Sequence, residues 1–189
     1  MANANSSLRL AAGVLVALAA VQIARPSAAA LGETDEAPTI AVFPIGIADT
    51  SGEPPNPQWP ERVAAVTAEL ARLLDASGKY REVDLASIRD RLAKVGPVYR
   101  CDGCWRDFAR AVGADTVAIT VVHKISTLIS SLHVWLLEVE TQQIVRQGAV
   151  SLRGDTAEVW RRAVSFLLRR GILNEDARQP MLSSPFPGG

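Results

Sequence analysis

Cys101 and Cys104 are the only two cysteines of the chain and stand three apart in Cys-Asp-Gly-Cys. Such a pair suits a short-loop disulfide in an oxidising compartment, and metal binding or thiol exchange in a reducing one. A disulfide across so small a loop adds little chain-entropy stabilisation and would serve to fix a turn. Thiol exchange needs a thiolate stabilised by a helix amino terminus, which the helix expected from Trp105 supplies. Thioredoxin-like proteins place the pair directly after a strand, however, and here a loop precedes it. Trp105 stands where covalent haem attachment requires histidine, so a c-type haem is excluded.

Two histidines, His123 and His133, complete a numerically tetrahedral zinc set with the cysteines. If the connection between their strands is symmetric about Leu128, they face each other across an antiparallel pair and could share a metal. No finger-type spacing links them to the cysteines, and two polar residues at strand ends explain them equally. Arginine is dense toward the carboxyl end, at Arg153, Arg161, Arg162, Arg169 and Arg170, opposed by Asp155 and Glu158. The group reads either as a solvated helix face or as a docking face for an acidic partner. Arg153, Trp160, Arg161 and Arg162 are its candidate contacts, because Trp beside Arg is the composition of interface hot spots. Asp49, Thr50 and Ser51 follow the first strand, where open α/β sheets place ligands, but no glycine-rich phosphate loop accompanies them. No residue set forms a convincing catalytic site, and none calls for a cofactor.

The elements that position these residues begin after an amino terminus with signal-peptide order. Arg9 precedes an apolar run from Leu10 to Ile23, and Ala28 and Ala30 give the small-x-small pattern for cleavage after Ala30. The run is shorter than the roughly 20 apolar residues of a spanning helix, so the expected membrane contact is this segment before cleavage. Taking Arg9 and Arg25 from the 20 basic residues leaves 18 against 20 acidic, a balance that gives no general attraction to nucleic acid. An exported, periplasmic location follows.

Residues 31–38 read as a flexible start, 39–173 as one α/β domain and 174–189 as a disordered tail rich in Pro, Ser and Gly. Apolar and alternating runs predict strands at Thr39–Ile47, Tyr80–Asp84, Thr116–Ser126, Leu132–Glu140 and Ile144–Arg153. On the third of these, Val117, Ile119, Val121 and Ile125 share a face. Helical spacing predicts Glu61–Ala76 behind Pro60 and before Gly78, a brief helix ending near Lys94, Trp105–Val112, and Thr156–Arg170 opened by an Asp155/Glu158 capping box. The expected fold is a mixed sheet of about five strands, with an antiparallel meander in the carboxyl half, covered by helices on both faces.

Three ordered motifs carry a resemblance: Lys124-Ile125-Ser126-Thr127-Leu128-Ile129, Arg153-Gly154-Asp155-Thr156 with Trp160-Arg161-Arg162, and Cys101-x-x-Cys104 before Gly113-Ala114-Asp115. The chain resembles an exported proteobacterial domain-of-unknown-function family, of the 3280 type, from Ala41-Val42-Phe43 and Asp49-Thr50-Ser51 to Leu173. That family is distantly similar to the amino-terminal domain of TolB and the periplasmic domain of the curli secretion channel CsgG. The resemblance implies a protein-binding, non-enzymatic accessory, associated with a quinoprotein alcohol dehydrogenase system in the periplasm. Thiol-disulfide redox work by the cysteine pair and metal binding are the alternatives. Two positions depart from the family pattern: Gln142 stands where glycine is expected after Thr141, and Glu138 where aspartate is usual.

Overall fold

Pro44 interrupts the first apolar run. It has no N–H to give to a ladder, and the run accordingly forms two short strands, β1 (Thr39–Val42) and β2 (Gly46–Asp49), in place of the single strand expected. The computed structural model describes residues 36–174. The expected export segment (1–30), the first part of the acidic start (31–35) and the tail from residue 175 lie outside the described residues.

Both short strands run parallel to one side of β4 (Thr116–Lys124), Ile40 opposite Thr116 and Gly46 opposite Val121. A two-residue strand, β3 (Arg81–Glu82), extends the sheet parallel to β1. On the other side of β4 come β5 (Ile129–Glu138) and β6 (Ile144–Arg153), both antiparallel to their neighbours. The result is a mixed six-stranded α/β sheet, in the order β3-β1-β4-β5-β6 with β2 also on β4. The sixth strand relative to expectation is the one that Pro44 splits off.

Four helices cover the two faces: α1 (Trp59–Ala76), α2 (Arg89–Val95), α3 (Cys104–Ala111) and α4 (Ala157–Leu167). In α1 the apolar residues Val66, Leu70 and Leu74 recur every fourth position, so one stripe faces the sheet and is fully buried. Gly78 ends that helix in the left-handed region, φ 69°, which glycine adopts at no steric cost. In α4 the stripe is Trp160, Ala163, Val164 and Leu167. These two helices enclose one core with Ile40, Val42, Ala118, Val122, Val134 and Leu136. On the opposite face α2 and α3 enclose a second core, where Trp105 and Phe108 meet Ala41, Phe43, Val117, Ile119 and Val121. Strand β4 therefore serves both cores with alternate residues, as a strand buried on two faces must.

The chain's own turns hold the sheet ends. Thr39 N donates to Asp115 Oδ2 at 2.9 Å and Asp115 N to Thr39 Oγ1 at 2.9 Å, clamping the start of β1 to that of β4. At the β5–β6 turn Gln142 is the only non-glycine among the described residues with positive φ, 61°. Gln142, where the resemblance led to an expectation of glycine, thus takes a backbone conformation that glycine adopts more readily. Glu138, the last residue of β5, anchors the same turn: its carboxylate accepts from Thr141 Oγ1 at 2.5 Å, and its carbonyl accepts from Gln142 N at 2.9 Å.

Candidate interaction surface at the hairpin tip

The carboxyl ends of β2 and β4 carry the densest polar network among the sites nominated from the sequence. Lys124 closes β4 and is buried, so its ammonium must find partners. Its Nζ donates to Ser51 Oγ at 2.7 Å and to Glu53 Oε2 at 2.6 Å, lies 3.9 Å from Asp49 Oδ2, and sits over the ring of Trp59. Asp49 Oδ1 in turn accepts from Ser51 Oγ at 2.6 Å and Ser51 N at 2.9 Å. Those two hydrogen bonds, aided by Lys124, hold the Asp49 carboxyl below the ordinary carboxylate range. Hydrogen bonds from Lys124 and Thr127 do the same for Glu53. This arrangement neutralises a buried lysine and fastens the proline-rich loop 50–58 to the end of the sheet.

Glu53 also reaches the turn between β4 and β5. Its Oε1 accepts from Thr127 N at 3.0 Å and from Thr127 Oγ1. Within the turn Ile125 N donates to Ile129 O at 3.0 Å, and Ile129 N to Ser126 Oγ at 3.2 Å. The turn is therefore held from both sides, yet it presents three large apolar side chains to solvent. Leu128 is 73% exposed, Ile129 58% and Ile125 49%. Ile125 does not share the buried face of Val117, Ile119 and Val121, because β4 ends at Lys124 and the chain turns outward. Leu128 and Ile129 border a groove of about 680 Å³ with Ser151, Leu152, Arg153 and Gly154. Arg153 stands opposite Ile129 across the β5–β6 pair and is exposed, so one of the nominated arginines belongs to this tip.

The other nominated residues go elsewhere. Trp160 is only 2% exposed and packs in the core beneath α1 and α4, so it is not available as a partner contact. Its ring covers a buried guanidinium, with Arg62 Cζ 5.2 Å from the centroid. Arg161 and Arg162 are exposed on α4, and both hydrogen-bond Glu158, at 3.1 and 2.7 Å. Arg161 borders a separate cleft of about 350 Å³ with Gln58, Glu61 and Asp155.

Asp155 does not cap α4. Thr156 does, its Oγ1 accepting from Val159 N at 3.2 Å, because Asp155 is engaged across the fold. Its carboxylate pairs with Arg62 and accepts from Asn56 Nδ2 at 3.0 Å and Trp59 Nε1 at 3.2 Å. Trp59 thereby joins the two polar centres, its ring under Lys124 and its N–H on Asp155. The sequence reading missed Arg62, Glu53 and Lys124 as network members. An arginine on the apolar stripe of α1 was the available signal for the first.

Cys101 and Cys104 are joined in a disulfide with Cα atoms 5.6 Å apart. Gly103 between them takes φ 74° and stands at the amino terminus of α3, and both half-cystines pack at the edge of the second core. The histidines share one face of the sheet but are diagonal, with His123 opposite Ser131 and His133 opposite Val121, so they do not face each other. The turn is centred one residue earlier than Leu128, which shifts the register by two. Thr50 Oγ1 lies 3.0 Å from His123 Nε2, and Ser131 Oγ 2.8 Å from His133 Nε2. Among the described residues no three His, Cys, Asp or Glu side chains come together to hold a metal. Nor is any described helix long and apolar enough to cross a membrane.

Solved structures similar to this chain include the carboxyl-terminal domain of LpoB from Salmonella enterica, 17% identical, covering 65% of this chain and 87% of that one, with a TM-score of 0.49. Lipoprotein GNA1162 from Neisseria meningitidis is 17% identical, with 70% and 94% covered and a TM-score of 0.49. TolB from Acinetobacter baumannii is 17% identical, with 72% and 28% covered and a TM-score of 0.40. No curated protein sequence matches significantly. A family model matches residues 38–172, most of the chain and all of the strands and helices among the described residues: the protein belongs to the DUF3280 family, described as "Protein of unknown function (DUF2380)".

Proposed function

We propose that this protein is a non-enzymatic, exported accessory protein that binds a protein partner through the β4–β5 tip. The observation that carries the reading is the tip itself: Ile125, Leu128 and Ile129 are exposed on a turn that Glu53 and Lys124 lock in place. Apolar side chains clustered in solvent cost solubility, and a turn ordered before binding saves the entropy of ordering it on the partner. Arg153 beside the apolar groups adds a charge suited to an acidic rim on the partner. Arg161 and Arg162 extend positive charge along α4, tempered by Glu158.

Export is supported by the signal order of the first 30 residues and by the Cys101–Cys104 disulfide, a bond that persists in oxidising compartments. A quinoprotein alcohol dehydrogenase system, implied by the family resemblance, is the first partner to test.

The experiment is site-specific photo-crosslinking in cells. A crosslinker at Leu128 should trap a discrete partner, whereas one at Gln143, exposed in the turn at the other end of the sheet, should not. Replacing Leu128 and Ile129 together by serine should abolish capture at position 125 while leaving thermal stability unchanged. Equal trapping from both turns, or none from the tip, would remove the basis of this reading.

A further inference from the structure

Away from the tip, the break at Pro44 opens a second surface feature. Strand β3 ends at Glu82 and β1 at Val42, and beyond them β2 pairs with β4 alone, so among the described residues no strand flanks its outer side. The chain from Leu85 to Val98 arches over the gap. Between them lies a cavity of about 360 Å³. Ile45, Leu92 and Val98 form its buried floor, and Pro44, Ala93 and Pro97 line its exposed walls. Its place, at the carboxyl ends of two parallel strands, is where open α/β sheets hold ligands. Its size is at the small end of the roughly 300–1,000 Å³ range of ligand pockets.

One cationic group lines this apolar cleft. Arg89 is exposed and forms no ion pair or side-chain hydrogen bond with any described residue. The other arginine of α2, Arg91, instead lies over the Phe108 ring, 5.1 Å from its centroid. A guanidinium offers a planar fork of donors that fits a carboxylate, while the floor offers only apolar contact. We infer that this cleft binds a small amphiphilic carboxylate, its apolar chain on Ile45, Leu92 and Val98 and its carboxylate on Arg89. The short cavity selects a chain of medium length over a full lipid. This site is separate from the hairpin tip and stands whether or not the tip binds a partner.

The test is calorimetric titration of the intact protein with sodium octanoate below its micellar concentration, with 1-octanol as the uncharged control. Octanoate should bind saturably at one site and octanol about tenfold more weakly. Arg89→Gln should weaken octanoate about tenfold while leaving octanol binding and thermal stability unchanged, since Arg89 holds nothing else in place. Ala93→Phe, at an exposed helix position, should fill the cleft and abolish binding of both. The inference is overturned by absence of saturable octanoate binding, by equal affinity for octanol, or by an Arg89→Gln variant that binds octanoate as the parent does.

Discussion

The Arg62–Asp155 pair offers the sharpest test of how this fold is held. Arg62 is 5% exposed and the Asp155 side chain 20%, and they join helix α1 to the loop opening α4 across 93 residues of sequence. Replacing Asp155 by alanine strands a buried guanidinium whose remaining partners are Gln58 Oε1 at 3.3 Å and the face of Trp160. It also frees the donors Asn56 Nδ2 and Trp59 Nε1. Breaking a buried pair by removing one member costs about 3–5 kcal/mol. For a domain of this size each kcal/mol lowers Tm by roughly 2–4 °C, so Asp155→Ala should melt about 10 °C early. Arg62→Met should cost less, because Asp155 keeps two hydrogen bonds and some water. The double variant should be more stable than the sum of the singles by about 2 kcal/mol.

Acidity adds an independent readout of the same pair. Burial pushes the Asp155 carboxyl up, but hydrogen bonds from Asn56, Arg62 and Trp59, with the Arg62 charge, outweigh it and hold the group below its ordinary range. A carboxyl lowered in the folded state contributes stability that is full above its unfolded value, about 3.9, and is lost as pH falls through the folded value. Urea midpoints of the parent and Asp155→Asn should therefore differ at pH 7, and the gap should start to close only as pH falls below about 4, toward the lowered folded value. Strict additivity of the single variants, or a gap that persists at low pH, would refute the assignment of Asp155 to Arg62.

Two further outcomes follow from local geometry. Gln142→Gly should raise Tm by about 2 °C in a thermal melt: relieving a left-handed residue recovers about 1–2 kcal/mol and glycine's extra entropy returns about 0.5–1. Gln143→Gly, one position on, should not stabilise. His133 is pushed down by burial, reinforced by nearby His123, and stacks on Trp135 at 5.5 Å. A base depressed in the folded state gives stability that is full above its unfolded value, about 6.5, and declines as pH falls below it. Urea midpoints should thus fall between pH 7.5 and pH 5.5 in the parent, and His133→Gln should flatten that fall.

The sequence was sufficient wherever a feature depends on near neighbours. The two-residue spacing of Val117, Ile119 and Val121 marks one buried face of β4, and the four-residue spacing of Val66, Leu70 and Leu74 marks the buried stripe of α1. The close spacing of Cys101 and Cys104, taken with the signal order of the amino terminus and the helix expected from Trp105, pointed to a disulfide at the start of α3, and the two are so joined. The break at Pro44 escaped the reading of Thr39–Ile47 as one strand, although a proline cannot donate to a ladder and was the available signal.

Tertiary structure decided what depends on distant partners. Asp155 and Thr156 are both competent caps, and only the arrival of Arg62 assigns Asp155 to the pair and Thr156 to the cap. The side of α4 that turns inward buries Trp160 and leaves Arg161 and Arg162 outside, although all three are adjacent in sequence. A two-residue shift in hairpin register separates His123 from His133. Glu53, far from Thr127 along the chain, fixes the tip that exposes Leu128. Periodicity says which side of an element is apolar; it carries no information about which charge, 70 or 90 residues away, the fold will bring to meet it.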